Sequence, residues 1–374
     1  MLKKNQIIMW LIGGLIFGYV FVNFANSSSA QLKKDEFAIF FPTYGYEKSS
    51  GEWVIQVEGR VFEEEFNESY VNAFINKMLD LNGFARPKRS DQTNFYNDFK
   101  LFFVDSEERK KVTITLGGQN YLVSRSKKSG RIQYSLNIKP EAGKQLYQNA
   151  VNSGSGWASF FAQNQYGQTF KGKILLDKER TTGVISDIDD TIKITGNIKG
   201  KKEVMLNTFL RTPKPAKGMK ELFEKFRKEN KVTFHYVSGS PWKLFPFLEK
   251  YTDEYGFPYG TFHLREFNLK PTHKEFWSFL NDSDTKKHKI EVIEKLMFAF
   301  KNRNYILVGD SGQSDPQTYC EIANNHSDRI LEIYIRDVNP ENFNTKCWKN
   351  LQKGENKIKV KRVDPVTGIV SQVF

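Results

Sequence analysis

The hydrophobic pattern of the chain changes near residue 181. Over residues 37–180, apolar and polar positions mostly alternate with a period of two, which is typical of strands that bury one face. One helix is predicted at 68–81, where five apolar or aromatic side chains share a face. We therefore predict a β-rich, sandwich-like accessory domain over 37–180. Its predicted strands are Trp53–Phe62, Leu101–Val104, Val112–Leu116, Tyr121–Ser124, Ile132–Ile138 and Phe170–Leu176.

From residue 181 onward, short apolar segments alternate with helical ones. Such a succession predicts a Rossmann-like, doubly wound parallel sheet with helices on both faces over 181–340. Residues 341–374 are predicted as a C-terminal tail. The predicted strands are Gly183–Asp187, Val232–Val237, Tyr259–Leu264, Tyr305–Gly309 and Ile330–Ile335, and the predicted helices are 217–229, 241–254, 272–280, 286–300 and 315–324.

The amino terminus carries a targeting signal. Residues 7–24 form an uncharged apolar run that follows Lys3 and Lys4, and small residues come after it. This arrangement predicts that residues 1–30 are a signal peptide or a membrane anchor. We expect an exported protein, periplasmic or secreted, that is either cleaved after this segment or tethered to the membrane by residues 7–24.

Composition narrows the classes of partner. The net charge of +13 favours anionic partners such as phosphorylated substrates, nucleic acid or lipid headgroups. The lysines are scattered and no nucleic-acid motif is present, so nucleic acid is not expected, and the sequence identifies no protein partner. Cys320 and Cys347 could form a disulfide or remain buried thiols, and their spacing does not decide between the two.

Carboxylates cluster where two of the predicted strands end. Asp187, Asp189 and Asp190 follow the first strand, and Asp310 and Asp315 follow the fourth. Three carboxylates in four residues repel one another, so we expect a cation to offset the cost of folding them together. Ligands bind at the carboxyl edge of parallel sheets, and Mg²⁺ prefers oxygen ligands. Asp187 and Asp310 are therefore predicted to hold Mg²⁺.

An EF-hand Ca²⁺ loop is the main structural alternative for the first of these clusters. That loop requires a glycine at its sixth position, but Ile192 stands there in this chain. It also requires an acid at its twelfth position, which is Ile198. The sequence therefore excludes an EF-hand.

Polar and basic residues complete the predicted site. The second strand ends at Ser238-Gly239-Ser240, followed by Pro241, so we predict that Ser240 is a helix N-cap and that Ser238 and the Gly239 and Ser240 amides bind an anion. Arg265, at the end of the third strand, is a further candidate for contacting phosphate.

A basic run begins the helix predicted at 286–300. Lys286, Lys287 and Lys289 all compete for a role at the site, and Lys289 is favoured by its spacing from the apolar stripe of that helix. Together with the carboxylates and serines, a lysine supplies what the hydrolysis of a phosphate ester requires. One carboxylate attacks phosphorus, a second carries the proton, and Lys289 and Ser238 stabilise the charge.

Three motifs resemble a known family. They are Gly-Val-Ile-Ser-Asp-Ile-Asp-Asp-Thr-Ile-Lys (183–193), Val-Ser-Gly-Ser-Pro-Trp (237–242) and Leu-Val-Gly-Asp-Ser-Gly-Gln-Ser-Asp-Pro (307–316). Their order is that of the haloacid-dehalogenase-like hydrolase superfamily, and more narrowly they resemble the actin-patch-associated phosphatidate phosphatase family over about 181–335. The short insertion at 196–216 then implies no large cap domain, and hence an open site.

The resemblance also implies residue roles. Asp187 would be the nucleophile and Asp189 the general acid and base, with the Asp189 backbone carbonyl as an additional Mg²⁺ ligand. Thr191 would orient the carboxylates, and Asp310 would complete the metal site with Asp315 near it.

Three functions remain open at this point. The first is a Mg²⁺-dependent phosphatidate phosphatase that acts on phosphatidate or another phospholipid at a membrane surface. The second is a phosphatase for a soluble or protein-linked phosphomonoester, and the third is a catalytically silent binding or scaffold protein.

Overall fold

A computed structural model describes the chain in several segments. These are residues 31–63, 69, 71–72, 74–76, 98–177, 181–229, 232–267, 285–343, 346–351 and 358–373. The predicted signal or anchor and the helix predicted at 272–280 lie outside the described residues. Within the described segments, no helix has both the length and the apolar character that crossing a membrane requires.

The first part of the chain forms one nine-stranded sheet, not the two separate sheets of a sandwich. All of its pairings are antiparallel except that of β2 with β9. The long strand β3 joins the sheet because it pairs with β2 and β1 along one edge and with β7 and β4 along the other. The strands are β1 (Glu36–Phe40), β2 (Thr43–Glu47), β3 (Trp53–Glu63), β4 (Asp105–Ser106), β5 (Lys111–Leu116), β6 (Gln119–Arg125), β7 (Arg131–Ile138), β8 (Trp157–Gln163) and β9 (Thr169–Leu176).

Five of the six strands predicted for this part are confirmed, and one is wrong. Leu101–Val104 is not a strand, because a 3-10 turn at Lys100–Phe102 places these apolar side chains in the core without alternation. The helix Pro140–Asn152 was not predicted. Of the helix predicted at 68–81, the described residues 69, 71–72 and 74–76 are helical, and the remainder lies outside the described residues.

The second part of the chain forms a seven-stranded sheet in the order β12-β11-β10-β13-β14-β15-β16. The first six strands in this order are parallel and β16 is antiparallel. Residues 341–374 therefore supply two strands, β15 and β16, to the same sheet. The strands are β10 (Thr182–Ser186), β11 (Val232–Pro241), β12 (Thr261–Arg265), β13 (Tyr305–Asp310), β14 (Ile330–Arg336), β15 (Lys359–Val363) and β16 (Val370–Gln372).

Helices cover both faces of this sheet, as predicted. Successive residues of β10 point to opposite faces, so Val184 packs in one hydrophobic core and Ile185 in the other. The longer helices are Met219–Glu229, Phe245–Glu254, Thr285–Ala299 and Asp315–Asn325. The shorter ones are the 3-10 turns Asn197–Lys199 and Trp242–Leu244, the α-helices Lys201–Met205, Pro340–Phe343 and Lys346–Leu351, and the π-helical turn Leu206–Leu210.

The two sheets are packed against each other. Phe41 of the first part enters the core of the second, with its ring centroid 5.0 Å from that of Phe245. Arg303 donates a hydrogen bond to Asp177 at 2.6 Å. The backbone amide of Phe262 in β12 also donates to the carbonyl of Pro42 at 3.0 Å, so the β-rich part lies against the β12 edge of the parallel sheet.

Cys320 and Cys347 form a disulfide with a Cα–Cα distance of 6.2 Å. Cys320 lies on the helix Asp315–Asn325 and Cys347 on the helix Lys346–Leu351, so the bond joins two helices that pack on one face of the sheet. The structure thereby decides a pairing that the spacing of the two residues left open.

Removing this disulfide is expected to destabilise the parallel-sheet part. The bond closes a loop with a sequence separation of 27, for which chain entropy gives about 3.5 kcal/mol. The double variant Cys320→Ser/Cys347→Ser should unfold at lower urea concentration than the oxidised protein, and at the same concentration as the protein treated with reductant. Equal midpoints for the variant and the oxidised protein would contradict the expected contribution.

Candidate active site

The site lies where the connections of the parallel sheet change direction. After β10 the chain continues to β11 and β12 on one side, and β13 then begins the series on the other side. This reversal leaves a crevice at the carboxyl ends of β10 and β13, where ligands bind in such sheets. Asp187 directly follows β10, and Asp310 ends β13. The topology therefore brings together two carboxylates that are 123 positions apart in the sequence (310 − 187).

A tight turn after β10 directs the side chains that follow. Asp190 has a left-handed backbone with φ of 56°. Its carboxylate accepts hydrogen bonds from the backbone amides of Thr195, Gly196 and Asn197 at 2.6–2.9 Å. The expectation that a cation offsets all three neighbouring carboxylates is therefore wrong for Asp190, because backbone amides compensate its charge.

Three carboxylates and one lysine form the centre of the site. Asp187, Asp310 and Asp315 are buried, with carboxylate oxygens within 4.8 Å of one another. Lys289 Nζ lies 3.0 Å from Asp187 Oδ1 and also contacts Asp315 Oδ1. Thr191 Oγ1 donates to Asp187 Oδ2 at 3.1 Å and lies 3.4 Å from Asp310 Oδ2, so one hydroxyl spans both carboxylates.

Burial sets the protonation of this cluster. It raises the pKa of Asp187 to about 7, with Lys289 acting against the shift and Asp315 and Asp189 adding to it. Burial also raises the pKa of Asp310 well above its ordinary value, and the neighbouring charges of Asp315 and Asp187 add to the rise. Burial would lower the pKa of Lys289, but the Asp187 and Asp315 carboxylates outweigh it and raise that pKa.

The cluster has the composition of a divalent-cation site. Its three carboxylates and one ammonium leave a formal charge of −2, and all of its donors are hard oxygens. Asp315 is already engaged, because one of its oxygens contacts Lys289 and the other accepts the Asp310 amide at 3.1 Å. Asp187 and Asp310 lie at the ends of neighbouring strands and share the Thr191 hydroxyl, so they remain the pair predicted to coordinate a cation.

Asp189 lies outside that cluster and has its own set of partners. Its carboxylate contacts Lys193 Nζ at 2.9 Å, Thr195 Oγ1 at 2.7 Å, Ser240 Oγ at 2.5 Å and Ser238 Oγ at 3.3 Å. Burial acts to raise the pKa of Asp189, but the Lys193 ammonium and the hydroxyl donors prevail and bring it to about 2. Asp189 is therefore held as a carboxylate in this structure.

The end of β11 differs from the prediction. Ser240 is not a helix N-cap, because β11 continues to Pro241 and the Ser240 hydroxyl donates to Asp189 instead. Gly239 permits a close approach, since a Cβ there would lie 2.6 Å from the Thr285 side chain. Thr285 begins the helix that carries Lys289 one turn later, so this glycine allows β11 and the lysine-bearing helix to meet at the site.

The three competing lysines have different surroundings. Lys286 pairs with Glu321 at 2.9 Å, and the side chain of Lys287 is 81% exposed. Lys289 is the one whose ammonium contacts Asp187. Arg265 ends β12 opposite Pro241 in the register and is not among the described residues that line the cavity beside Asp189.

That cavity has a volume of about 40 Å³ and opens beside Asp189 and Ser240. The cavity is also lined by Thr195, Gly239, Pro241 and Thr285, and by the apolar side chains of Val204 and Leu244. Of the residues predicted to contact phosphate, Gly239 and Ser240 line this cavity together with Asp189, whereas Ser238 and Lys289 are not among its described lining residues.

Comparison with known proteins finds similarity over this part of the chain. Residues 182–337 match the family described as "Phosphatidate phosphatase APP1, catalytic domain". The match begins at β10, ends just after β14 and contains every residue of the site described above. The match covers less than half of the chain.

Two curated proteins are similar to this chain over part of its length. An uncharacterised protein of Schizosaccharomyces pombe is 34% identical over 161 residues, and Phosphatidate phosphatase APP1 of Saccharomyces cerevisiae is 33% identical over 156 residues. Each alignment covers 41% of this chain and 25% of the relative. The chain therefore matches about a quarter of the length of these relatives.

Several residues of this site were missed by sequence reasoning. Asn197 and Gln313 line the cavity, and both stand inside segments that had been singled out, so their position beside the motifs was an available signal. Lys193 and Thr195 hold Asp189. Arg336 donates to the backbone carbonyl of Asp190 at 2.9 Å, and no local pattern marks it, because the contact depends on β14 lying beside β13.

The repulsion within the carboxylate cluster predicts that Asp310→Asn stabilises the folded chain when no cation is present. An unfolded aspartate titrates near about 3.9, whereas Asp187 in the folded chain titrates at about 7. Between these values the folded chain binds the proton more tightly, so without a cation its stability falls as the pH rises through that window. The pKa of Asp310 is also raised, by burial and by the charges of Asp315 and Asp187. Asp310→Asn therefore removes a group that costs stability and should raise the melting temperature in EDTA by a few degrees at about pH 8.

Added Mg²⁺ distinguishes this explanation from a general effect of removing a charge. It should raise the melting temperature of the unaltered protein and leave that of Asp310→Asn unchanged, since the variant lacks one of the two predicted ligands. Asp253→Asn, at an exposed helical position, should behave like the unaltered protein in both measurements. A normal Mg²⁺ response in Asp310→Asn would rule out a cation at this cluster.

Proposed function

We propose that this chain is a Mg²⁺-dependent phosphatidate phosphatase that releases phosphate from phosphatidate and leaves diacylglycerol. The observation that carries the proposal is the contact of Lys289 with Asp187 in a buried carboxylate cluster, within a domain of the APP1 family. An isolated aspartate would be a poor nucleophile if protonated. Lys289 and Thr191 favour its carboxylate form and fix both of its oxygens.

In the first step a carboxylate oxygen of Asp187 attacks phosphorus, and the bond between phosphorus and the glycerol oxygen breaks. The leaving oxygen takes a proton from Asp189, which must therefore have been protonated beforehand. The product is an aspartyl-phosphate on Asp187 and free diacylglycerol. The hydroxyl of Ser238 and the ammonium of Lys289 stabilise the charge on the transferred group.

In the second step a water molecule attacks the aspartyl-phosphate. Asp189 removes a proton from this water, the bond between Asp187 and phosphorus breaks, and phosphate leaves. The carboxylate form of Asp189 in this structure is the form that this step requires. Its hydrogen bonds to Thr195 and Ser240 would hold it in position for the transfer.

Asp187 and Asp310 would hold Mg²⁺, with the Asp189 backbone carbonyl as a further ligand and Asp315 behind them. When bound, the ion supplies positive charge for the phosphoryl oxygens and offsets the repulsion among the carboxylates. The donor set supports this proposal because it consists of oxygens and carries two excess negative charges.

The haloacid-dehalogenase-like assignment and a lipid substrate are parts of the same proposal. The strand order around β10 and the site at its carboxyl end support the superfamily. A short insertion after β10 and the family of the domain support a bulky substrate. Export, with residues 7–24 as a signal or a tether, would place the reaction on the outer side of the cytoplasmic membrane.

The proposal is tested by measuring phosphate release from phosphatidate in mixed micelles. Release should require Mg²⁺, stop in EDTA, and fall by at least about a thousandfold in Asp187→Asn, because the nucleophile is lost. Release from a small aryl phosphate but not from phosphatidate would favour the soluble phosphomonoester as substrate. Inactivity on both substrates would favour a silent binding or scaffold protein.

Asp189→Asn tests the proton-transfer role separately. The variant should lose turnover but keep the Asp187 nucleophile, so substrate should leave a phosphoryl group on Asp187 that mass spectrometry detects. The double variant Asp187→Asn/Asp189→Asn is the control and should carry none. Turnover by Asp189→Asn at a normal rate would exclude Asp189 as the proton carrier.

A further inference from the structure

Three exposed apolar side chains lie at the same edge of the parallel sheet as the site. Ile198 is 52% exposed, Val366 75% and Ile369 66%. Ile198 lies in the loop after β10, and the other two lie in the turn between β15 and β16. Since β10 and β15 run in the same direction and both loops begin at their carboxyl ends, both lie at the edge that carries Asp187.

A single pair of residues connects the two loops. The carboxylate of Asp190 binds the amides of residues 195–197, next to Ile198, and its backbone carbonyl accepts a hydrogen bond from Arg336. A second nitrogen of the Arg336 guanidinium donates to the carbonyl of Pro365, next to Val366, at 3.2 Å. The two apolar tips are therefore fixed relative to each other and to the catalytic turn.

The turn between β15 and β16 is ordered by its own hydrogen bonds. Asp364 Oδ1 accepts from the amides of Val366 and Thr367 at 3.0 and 2.7 Å. Gly368 has φ of 75°, and a Cβ at this position would lie 2.7 Å from the Cα of Gly218, so the turn packs closely on the start of the helix Met219–Glu229. Val366 is therefore exposed on a well-fixed turn.

Basic side chains surround these tips. Lys199 and Lys202 follow Ile198 within four residues and are exposed. Lys217 is also exposed and lines a groove with Ile369, at the start of the helix Met219–Glu229. Apolar tips separated by lysines are complementary to a bilayer that offers acyl chains beneath anionic headgroups.

We infer that Ile198, Val366 and Ile369, together with Lys199, Lys202 and Lys217, form a docking surface for an anionic lipid bilayer. We name these six residues the carboxyl-edge surface. The apolar side chains enter the headgroup region and the lysines contact anionic headgroups. Asn197, which lines the cavity beside Asp189, then lies next to the membrane. This inference rests on the proposed function, because docking on a bilayer would bring the site to a lipid substrate.

A bilayer suits this surface better than a protein partner does. The apolar side chains project from separate loops with lysines between them, whereas stable protein interfaces require a contiguous packed area with few charges at the centre. Exposure by itself is not the criterion. Phe298 is 68% exposed, but it lies near the end of the helix Thr285–Ala299, at the opposite edge of the sheet.

A local probe tests the docking independently of any tether formed by residues 7–24. Because Cys320 and Cys347 are paired, Ile198→Cys or Val366→Cys introduces a single free thiol that a polarity-sensitive fluorophore can label. With vesicles of phosphatidylcholine and phosphatidylglycerol, the labels at positions 198 and 366 should shift to the blue. The label of the matched control Phe298→Cys should not shift, since it faces away from the membrane.

Charge reversal tests the lysines. The triple variant Lys199→Glu/Lys202→Glu/Lys217→Glu should hydrolyse phosphatidate in anionic vesicles roughly tenfold more slowly or worse, because each lysine near such a surface contributes to binding. Its rate on a soluble short-chain phosphatidate should be unchanged. Arg227→Glu/Lys228→Glu/Lys301→Glu changes the charge equally at exposed positions away from this edge and should act normally on both substrates.

The outcomes separate this surface from the proposed activity. If phosphatidate is hydrolysed but the labels at 198 and 366 do not shift, or shift no more than the label at 298, the carboxyl-edge surface is wrong and the activity stands. If the labels shift but no form of phosphatidate is hydrolysed, the surface stands and the substrate is wrong. A protein or second copy as the occupant would appear as a blue shift without vesicles at higher protein concentration, which also overturns the inference.

Discussion

The contact of Lys289 with Asp187 and Asp315 is the interaction on which the site depends. Three buried carboxylates, two at strand ends and one at the start of the helix Asp315–Asn325, would otherwise repel one another in a region of low dielectric. The ammonium offsets part of this charge and joins the helix Thr285–Ala299 to the end of β10 and to the start of the helix Asp315–Asn325. The remaining negative charge and the oxygen donors suit the folded site to a divalent cation. The charges that destabilise the folded site are therefore the same charges that would attract a cation.

A second level of organisation surrounds this cluster. Asp190 uses its carboxylate for backbone amides and its carbonyl for Arg336, so the catalytic turn is held from both sides. Asp189 is held by hydroxyls and by Lys193, which is itself buried. Rigid placement of this kind is what a reaction that depends mainly on positioning and charge requires.

Much of the fold and of the candidate site could be predicted from the sequence, wherever a local pattern of residues was enough to indicate which strand ends lie together. Asp187 and Asp310 follow apolar strands, and the carboxyl ends of neighbouring parallel strands meet, so their proximity followed from the pattern. The prediction of a strand at Leu101–Val104 was wrong because a continuous apolar run has no period, so it is compatible with a buried turn as well as with a strand. The prediction that Ser240 is a helix N-cap was wrong because its hydroxyl donates instead to the carboxylate of Asp189, 51 positions away in the sequence. The contact of Arg336 with the Asp190 carbonyl could not be predicted, because it depends on the order of the strands in the sheet and not on a local pattern.

The pairing of β2 with β9 has a consequence for how the chain folds. β2 and β9 are hydrogen-bonded in parallel, and Thr43 pairs with Ile174. The first sheet therefore depends on contacts between distant parts of the sequence. Closing such a long loop costs entropy before the contacts that compensate it can form. Refolding of this sheet is therefore expected to be slow compared with that of the helices around β10. Until β9 pairs with it, the hydrogen-bonding edge of β2 remains open to other chains, and dilute conditions should favour recovery of the native protein.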